Sequence, residues 1–302
     1  MVRVRGLETY AARLGHSAQF YVVTTPSRFH CADRDGSKNR NYHGATVRDG
    51  HHWLNRQWQC LRASLARKGV VLYGLRTVEP HHDGTPHWNV LLFARASDAA
   101  AIAAGFERYF LVNDSPDEPG ARTHRVRRVE IDLAKGDATS YIAKYISKGI
   151  DGVGVGIDQE DSERQRDAVE TCVRVEAWAS IHGIRQFQFF GGPPVTVWRE
   201  LRRLSRASLG VIEAARQAAE EPSWCAYVDV QGGTQWRGRV LPVRLHKTYS
   251  NTAGLYGDPL GARIVGVGSD DLIEVTRERE WTVNWREVGS PQMFCSSLES
   301  CQ

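Results

Sequence analysis

The chain has 302 residues, 41% of them hydrophobic, with a formal net charge of +4. That length and apolar content suffice for a sizeable buried core in one large domain or two smaller ones. No run of eighteen apolar residues occurs, and the start Met1-Val-Arg-Val-Arg5 lacks the apolar stretch of a secretory signal.

In chain order, residues 3 to 15 read as a short helix and Phe20 to Thr25 as a β-branched strand stopped by Pro26. A polar loop follows to about Gly44. Leu54, Trp58, Leu61 and Leu65 then fall at helical spacing, with Gly69 where a C-terminal cap is expected. Val70 to Val78 and Pro86 to Ala94 read as two strands joined through Asp83-Gly84, the residue pair that favours a hairpin. Ser97 to Phe110 reads as a helix, Asn113 to Gly120 as a loop, Val126 to Ile131 as a strand and Asp137 to Lys148 as a helix closed by Gly149. The expected architecture is α+β, an antiparallel sheet with helices on one face and the Asp-Gly hairpin in mid-sheet. A linker is expected from Asp151 to about Arg166, then helices at 168–182 and 195–207. Strands follow at Ala226–Val230, Arg239–Leu245 and Ile264–Val267. The domains are accordingly set at 1–152, a helical extension at 153–215 and a small β-rich region at 216–302.

Two clusters carry chemistry. Around the hairpin stand Glu79, His81, His82, Asp83, His87 and Asn89. Strand alternation puts His87 and Asn89 on one face and Trp88 on the other, so two ligands can reach one metal ion. The plain alternative is a polar hairpin that needs no ligand. The second cluster is Tyr141-Ile142-Ala143-Lys144-Tyr145-Ile146-Ser147-Lys148, in which helical spacing pairs the tyrosines and pairs the lysines. A tyrosine can be a covalent nucleophile, and a lysine beside it can hold a phosphate or favour the phenolate. Its alternative is an amphipathic helix with these tyrosines as core.

Six cysteines occur without any Cys-x-x-Cys spacing, which argues against a zinc finger and for reduced thiols. The positive charge is uneven: Arg122, Arg125, Arg127 and Arg128 crowd one segment, and Arg185, Arg199, Arg202, Arg203 and Arg206 another. Such clusters suit phosphate neutralisation, and nine tryptophans and ten tyrosines offer stacking surfaces for unpaired bases. Solvated helix faces are the plain alternative.

Together the motifs resemble a known family. A His-hydrophobic-His hairpin followed by a tyrosine-bearing helix is the signature of the HUH endonucleases, which nick single-stranded DNA. Glu79-Pro-His-His-Asp-Gly-Thr-Pro-His-Trp88 and Ala138-Thr-Ser-Tyr-Ile-Ala-Lys-Tyr-Ile-Ser-Lys-Gly-Ile-Asp-Gly152 are similar to the bacteriophage replication gene A protein family of rolling-circle initiators. Phe20–Ser27, Trp178–Phe187 and Gly191–Arg203 extend the likeness, which covers roughly residues 1 to 265. Family members carry a second histidine where this chain has Asn89. The first residues align inside the family pattern, so an upstream segment is expected in longer relatives.

The resemblance implies an HUH-like sheet of ferredoxin or RRM type, followed by a helical and small β region. It implies attack on a DNA phosphodiester by Tyr141 or Tyr145, leaving a 5′-phosphotyrosyl link and a 3′-hydroxyl primer. Lys144 and Lys148 would assist the phenol. Mg²⁺ or Mn²⁺ would be held by His87 and Asn89, with Glu79 as third ligand and His81 or His82 behind it. The DNA contacts would be Arg122, Arg125, Arg127, Arg128 and Arg185. Single-stranded origin DNA, a host helicase and a host polymerase are the partners implied, in the cytoplasm of a bacterial host and with no membrane. Asparagine is a neutral ligand, so an origin-binding protein with weakened or lost nicking is the alternative.

Overall fold

The structure, a computed structural model, describes residues 1–33, 35–129, 131, 138–140, 142, 168–235, 240–249, 253, 257–258 and 261–277. Tyr141, Lys144, Tyr145 and Lys148, the expected linker and the last residues of the chain lie outside them.

Five antiparallel strands form the main sheet in the order β4-β1-β3-β2-β5: β1 (His16–Val23), β2 (Tyr73–Pro80), β3 (Pro86–Arg95), β4 (Val126–Val129) and β5 (Phe187–Phe190). The hairpin strand β3 lies in the middle, as expected. Nearly all of β3 is buried, on both sides, because its apolar residues do not alternate with polar ones. A sheet apolar on both faces must be covered on both, and this corrects the expectation of helices on one face only. One face packs α1 (Val2–Arg13), through Val4, Leu7 and Tyr10, against Phe20, Leu75, Leu91 and Phe93. The other packs α2 (Val47–Arg67) and α3 (Ala99–Glu107) against Tyr21, Val78, Trp88, Val90 and Leu92.

Helix α2 buries the four residues picked out by spacing, and Gly69 follows it with φ of 71°. Its N-terminus is fixed by a reciprocal pair: Thr46 Oγ1 accepts from the Asp49 N–H, while the Thr46 N–H donates to Asp49 Oδ2 at 2.8 Å. A short helix, α4 (Ala121–His124), leads into β4.

From residue 168, α5 (Ala168–His182) returns the chain to the sheet. It delivers β5, which pairs with β2 through Thr77–Phe187 and Leu75–Phe189, although these residues had been expected in a helical extension. Helices α6 (Val195–Leu201), α7 (Gly210–Glu220) and α8 (Trp224–Val230) then pack Trp198, Ile212, Trp224 and Tyr227 onto α1 and its core. The segment expected as a strand at 226–230 is therefore a helix. Trp224, Tyr227 and Val228 are buried at spacings of three and four, and Ser223 Oγ accepts from the Ala226 N–H at its start. A separate sheet of three strands, β6 (Arg244–Thr248), β7 (Arg263–Gly268) and β8 (Ile273–Val275), follows. Among the described residues no helix is long and apolar enough to cross a membrane.

Candidate functional site

The register of the central strands decides which side chains meet. Glu79 on β2 stands opposite His87 on β3, and Asn89 stands between Thr77 on β2 and Val22 on β1. Residues two apart on β3 share a face, so His87 and Asn89 continue the row of Leu91 and Phe93, while Trp88 enters the opposite core. Glu79 Oε2 lies 3.9 Å from His87 Nε2, with both side chains about 15% exposed. Pro80 does not turn Glu79 aside, since β2 stays paired through Pro80–Pro86.

His81 joins this group and His82 does not. The His81 ring centroid is 4.3 Å from that of His87 and 5.3 Å from that of His30. Burial, then the neighbouring His30, pushes His81 down to about 4, and its Nε2 is buried with no hydrogen-bond partner. His82 is exposed and its Nε2 lies 3.0 Å from the Asp33 carbonyl. The turn itself is built on Asp83. Burial would raise this carboxyl, but the His30 ring at 3.1 Å and the Thr85 N–H and hydroxyl hold it well below the usual range. Gly84 takes a φ of 82° in that turn, a conformation that suits glycine.

His30 was not picked out from the sequence, where it sits in a polar loop without periodicity. It reaches the site because a buried network clamps the loop. Arg28 forms two bonds of 2.7 Å to Asp114, and Asn39 Nδ2 donates to the carbonyls of Ser27 and His30. Arg125 belongs to the same clamp. Its side chain is 2% exposed and bonds Glu118, which in turn accepts the Ser27 N–H, so Arg125 is a structural strut rather than a surface contact for DNA.

The other expected arginines divide by strand geometry. Arg127 is exposed opposite Val22, on the face of His87 and Asn89, whereas Arg128 is opposite Tyr21 on the other face. Arg122 is exposed 3.6 Å from Asp117, and Arg185 is exposed just before β5.

The start of the tyrosine segment reaches the same face. Ala138 and Ile142 are fully buried in the core beneath α1, with Val22 and Val129 packed against that core. Glu8 of α1 accepts from the Ala138 N–H at 2.6 Å, from the Thr139 N–H at 3.2 Å and from the Thr139 hydroxyl. A carboxylate there satisfies the N–H groups that a helix leaves open at its N-terminus, and its charge suits the helix dipole. Glu8 lies mid-helix in α1 and carried no sequence signal.

A carboxylate, two imidazoles and an amide thus converge near His87. Among the described residues no three His, Cys, Asp or Glu side chains are grouped to hold a metal ion. Asn89, 1% exposed, occupies the next position on that face, and its Nδ2 is buried without a hydrogen-bond partner. An amide can turn to present its oxygen, so Glu79, His87 and Asn89 are a donor set compatible with a hard divalent cation.

The model of the bacteriophage replication gene A protein (GPA) matches residues 1–153, just over half of the chain. This chain belongs to the bacteriophage replication gene A protein family. Curated relatives agree along almost the whole chain. It is 37% identical over 305 residues to a "Replication protein" of Haemophilus phage HP1, covering 99% of this chain and 38% of the relative. It is 36% identical over 294 residues to a "Replication gene A protein" of Escherichia phage 186, covering 94% and 42%. A third, from Salmonella paratyphi A, is a "Probable replication endonuclease from prophage-like region", 37% identical over 306 residues and covering 95% and 37%. The chain spans about two fifths of the length of these gene A family relatives. No solved structure matches it.

Proposed function

We propose that this chain carries the DNA-nicking centre of a rolling-circle replication initiator. The observation that supports it most is the meeting of Glu79, His87 and Asn89 with the docked start of the tyrosine segment on one sheet face, in a member of the gene A family.

The reaction would begin with the phenol oxygen of Tyr141 or Tyr145 attacking a DNA phosphorus. The phosphorus bond to the 3′ oxygen breaks, the phenol proton leaves to base, and the departing 3′ oxygen is protonated. The products are a 5′-phosphotyrosyl link and a 3′-hydroxyl primer. Rejoining reverses the exchange, with the 3′-hydroxyl attacking and the phenol leaving. A phenol with a pKa near 10 needs help at neutral pH, which the cationic Lys144 and Lys148 would give. Mg²⁺ or Mn²⁺ held by Glu79, His87 and Asn89, with His81 in reserve, would supply charge neutralisation at the scissile phosphate. Arg127 and Arg185 would hold the single strand, while Arg128 stands on the opposite face and Arg122 beside Asp117. Origin DNA, a host helicase and a host polymerase are the partners of this reading, in the bacterial cytoplasm.

A second reading is favoured by Asn89 alone: binding at the origin with nicking weakened or lost, because a neutral amide stands where the resemblance implies a histidine. One experiment separates them. Purified chain with Mn²⁺ and single-stranded origin DNA should give a covalent protein–DNA adduct that Tyr141→Phe plus Tyr145→Phe abolishes. Cutting by that double variant at the parent rate would refute the enzyme reading, and an absence of adduct with intact binding would favour the second.

A further inference from the structure

Three guanidinium groups gather at the β5 end of the site face. Arg3 of α1 lies 3.8 Å from the ring centroid of Phe189 and 4.4 Å from that of Trp224. Arg185 precedes Phe187 by two residues, and because the Val78 N–H donates to the Gln186 carbonyl at 2.9 Å the chain still runs beside β2 there. Alternation from Phe187 therefore directs Arg185 to the face of Glu79 and His87. Arg199 follows Trp198 on α6, and the Trp198 ring is 5.0 Å from that of Trp224.

The two exposed arginines act on the more buried Arg3. Burial lowers Arg3 to about 10, and both Arg185 and Arg199 push it in the same direction. Among the described residues no carboxylate lies within ion-pair distance of any of the three. The arrangement is unfavourable alone and becomes favourable once an anion enters, since a guanidinium fork matches phosphate oxygens and the stacked Arg3 is already oriented. Its place selects the anion. By register Arg185 lies about two strand spacings from His87, ~10 Å, and Arg127 stands at the far edge of the same face.

We propose that Arg3, Arg185 and Arg199 clamp a backbone phosphate of single-stranded DNA adjacent to the one presented to His87. This rests on the nicking reading and adds to it the direction of the strand, across the sheet from β4 to β5.

The test compares binding of a labelled single-stranded origin oligonucleotide by the Tyr141→Phe/Tyr145→Phe chain with and without Arg185→Ala and Arg199→Ala, over a salt series. Both arginines are exposed, so an unchanged melting temperature is the check on folding. Loss of one phosphate contact should reduce the slope of log affinity against log salt by about 0.7, with affinity falling several-fold at low salt. A single methylphosphonate placed one link at a time should weaken the parent at a position beside the nick, and the arginine variant no further at that position. An unchanged salt slope, or an equal loss in both proteins at every link, overturns the clamp. The natural chain would still cut if only the clamp is wrong; if it neither binds nor cuts, both proposals fall.

Discussion

The two faces of the central sheet solve different problems with one strand. On the Trp88 side aromatic packing dominates: Tyr21 stacks on Phe106 at 3.9 Å, Trp88 meets Trp58 and Phe110 edge-on, and the buried Arg76 guanidinium lies 3.9 Å from the Trp88 ring centroid. On the His87 side the row changes character along its length, from Phe93 and Leu91 in a closed core to Asn89 and His87 at one end. Rigidity comes from the first face and the proposed chemistry from the end of the second. A precise site is thereby placed on a strand that the opposite core holds still.

That contrast can be broken from either side. The largest effect should follow Trp88→Ala, which empties a fully buried position and should cost about 3–5 kcal/mol of stability by denaturant unfolding. Asn89→His should do the opposite kind of thing, leaving stability nearly unchanged while tightening Mn²⁺ binding tenfold or more, about 1.4 kcal/mol for each factor of ten, by calorimetry. Unchanged affinity would show that the amide is already a working ligand.

Glu8→Ala should lower stability by about 1 kcal/mol, as loss of a helix-capping group does, and should slow adduct formation. Glu8→Gln keeps an acceptor and should recover most of the loss. If the alanine and glutamine variants match the parent in both assays, Glu8 does not anchor the tyrosine segment.

The smallest effect concerns acid. His51 lies beside Trp88, and burial followed by Arg76 holds it down to about 4, below its ordinary 6.5. The unfolded chain then binds the proton more readily than the folded one. His51 therefore contributes stability above pH 6.5 that is lost as pH falls toward 4. His51→Gln should flatten that part of the stability–pH curve, and an unaltered acid slope would remove His51 from the account.

Much of this contrast was legible in the sequence, for physical reasons that also explain the failures. The Leu54–Leu65 spacing and the alternation around His87 are local patterns, and local patterns survive into the fold. β5 was not legible because Phe187–Phe190 is a four-residue apolar run, too short for periodicity, whose partner β2 lies over a hundred residues earlier. Ala226–Val230 alternates on paper, yet the spacing of Trp224, Tyr227 and Val228 suits a helix packed on α1. His30 and Glu8 act through tertiary placement alone, and the arginine-rich segment scattered into a strut, an ion pair and two faces for the same reason.

The strand order carries a practical warning for anyone cutting this chain down. A fragment ending at residue 153, where the match to the family model ends, would lack β5 and leave the backbone of Tyr73–Pro80 along the β2 margin bare. An uncovered strand margin next to Leu75 is a template for intermolecular pairing, so such a fragment should clump in solution, whereas one running through residue 235 keeps that margin closed.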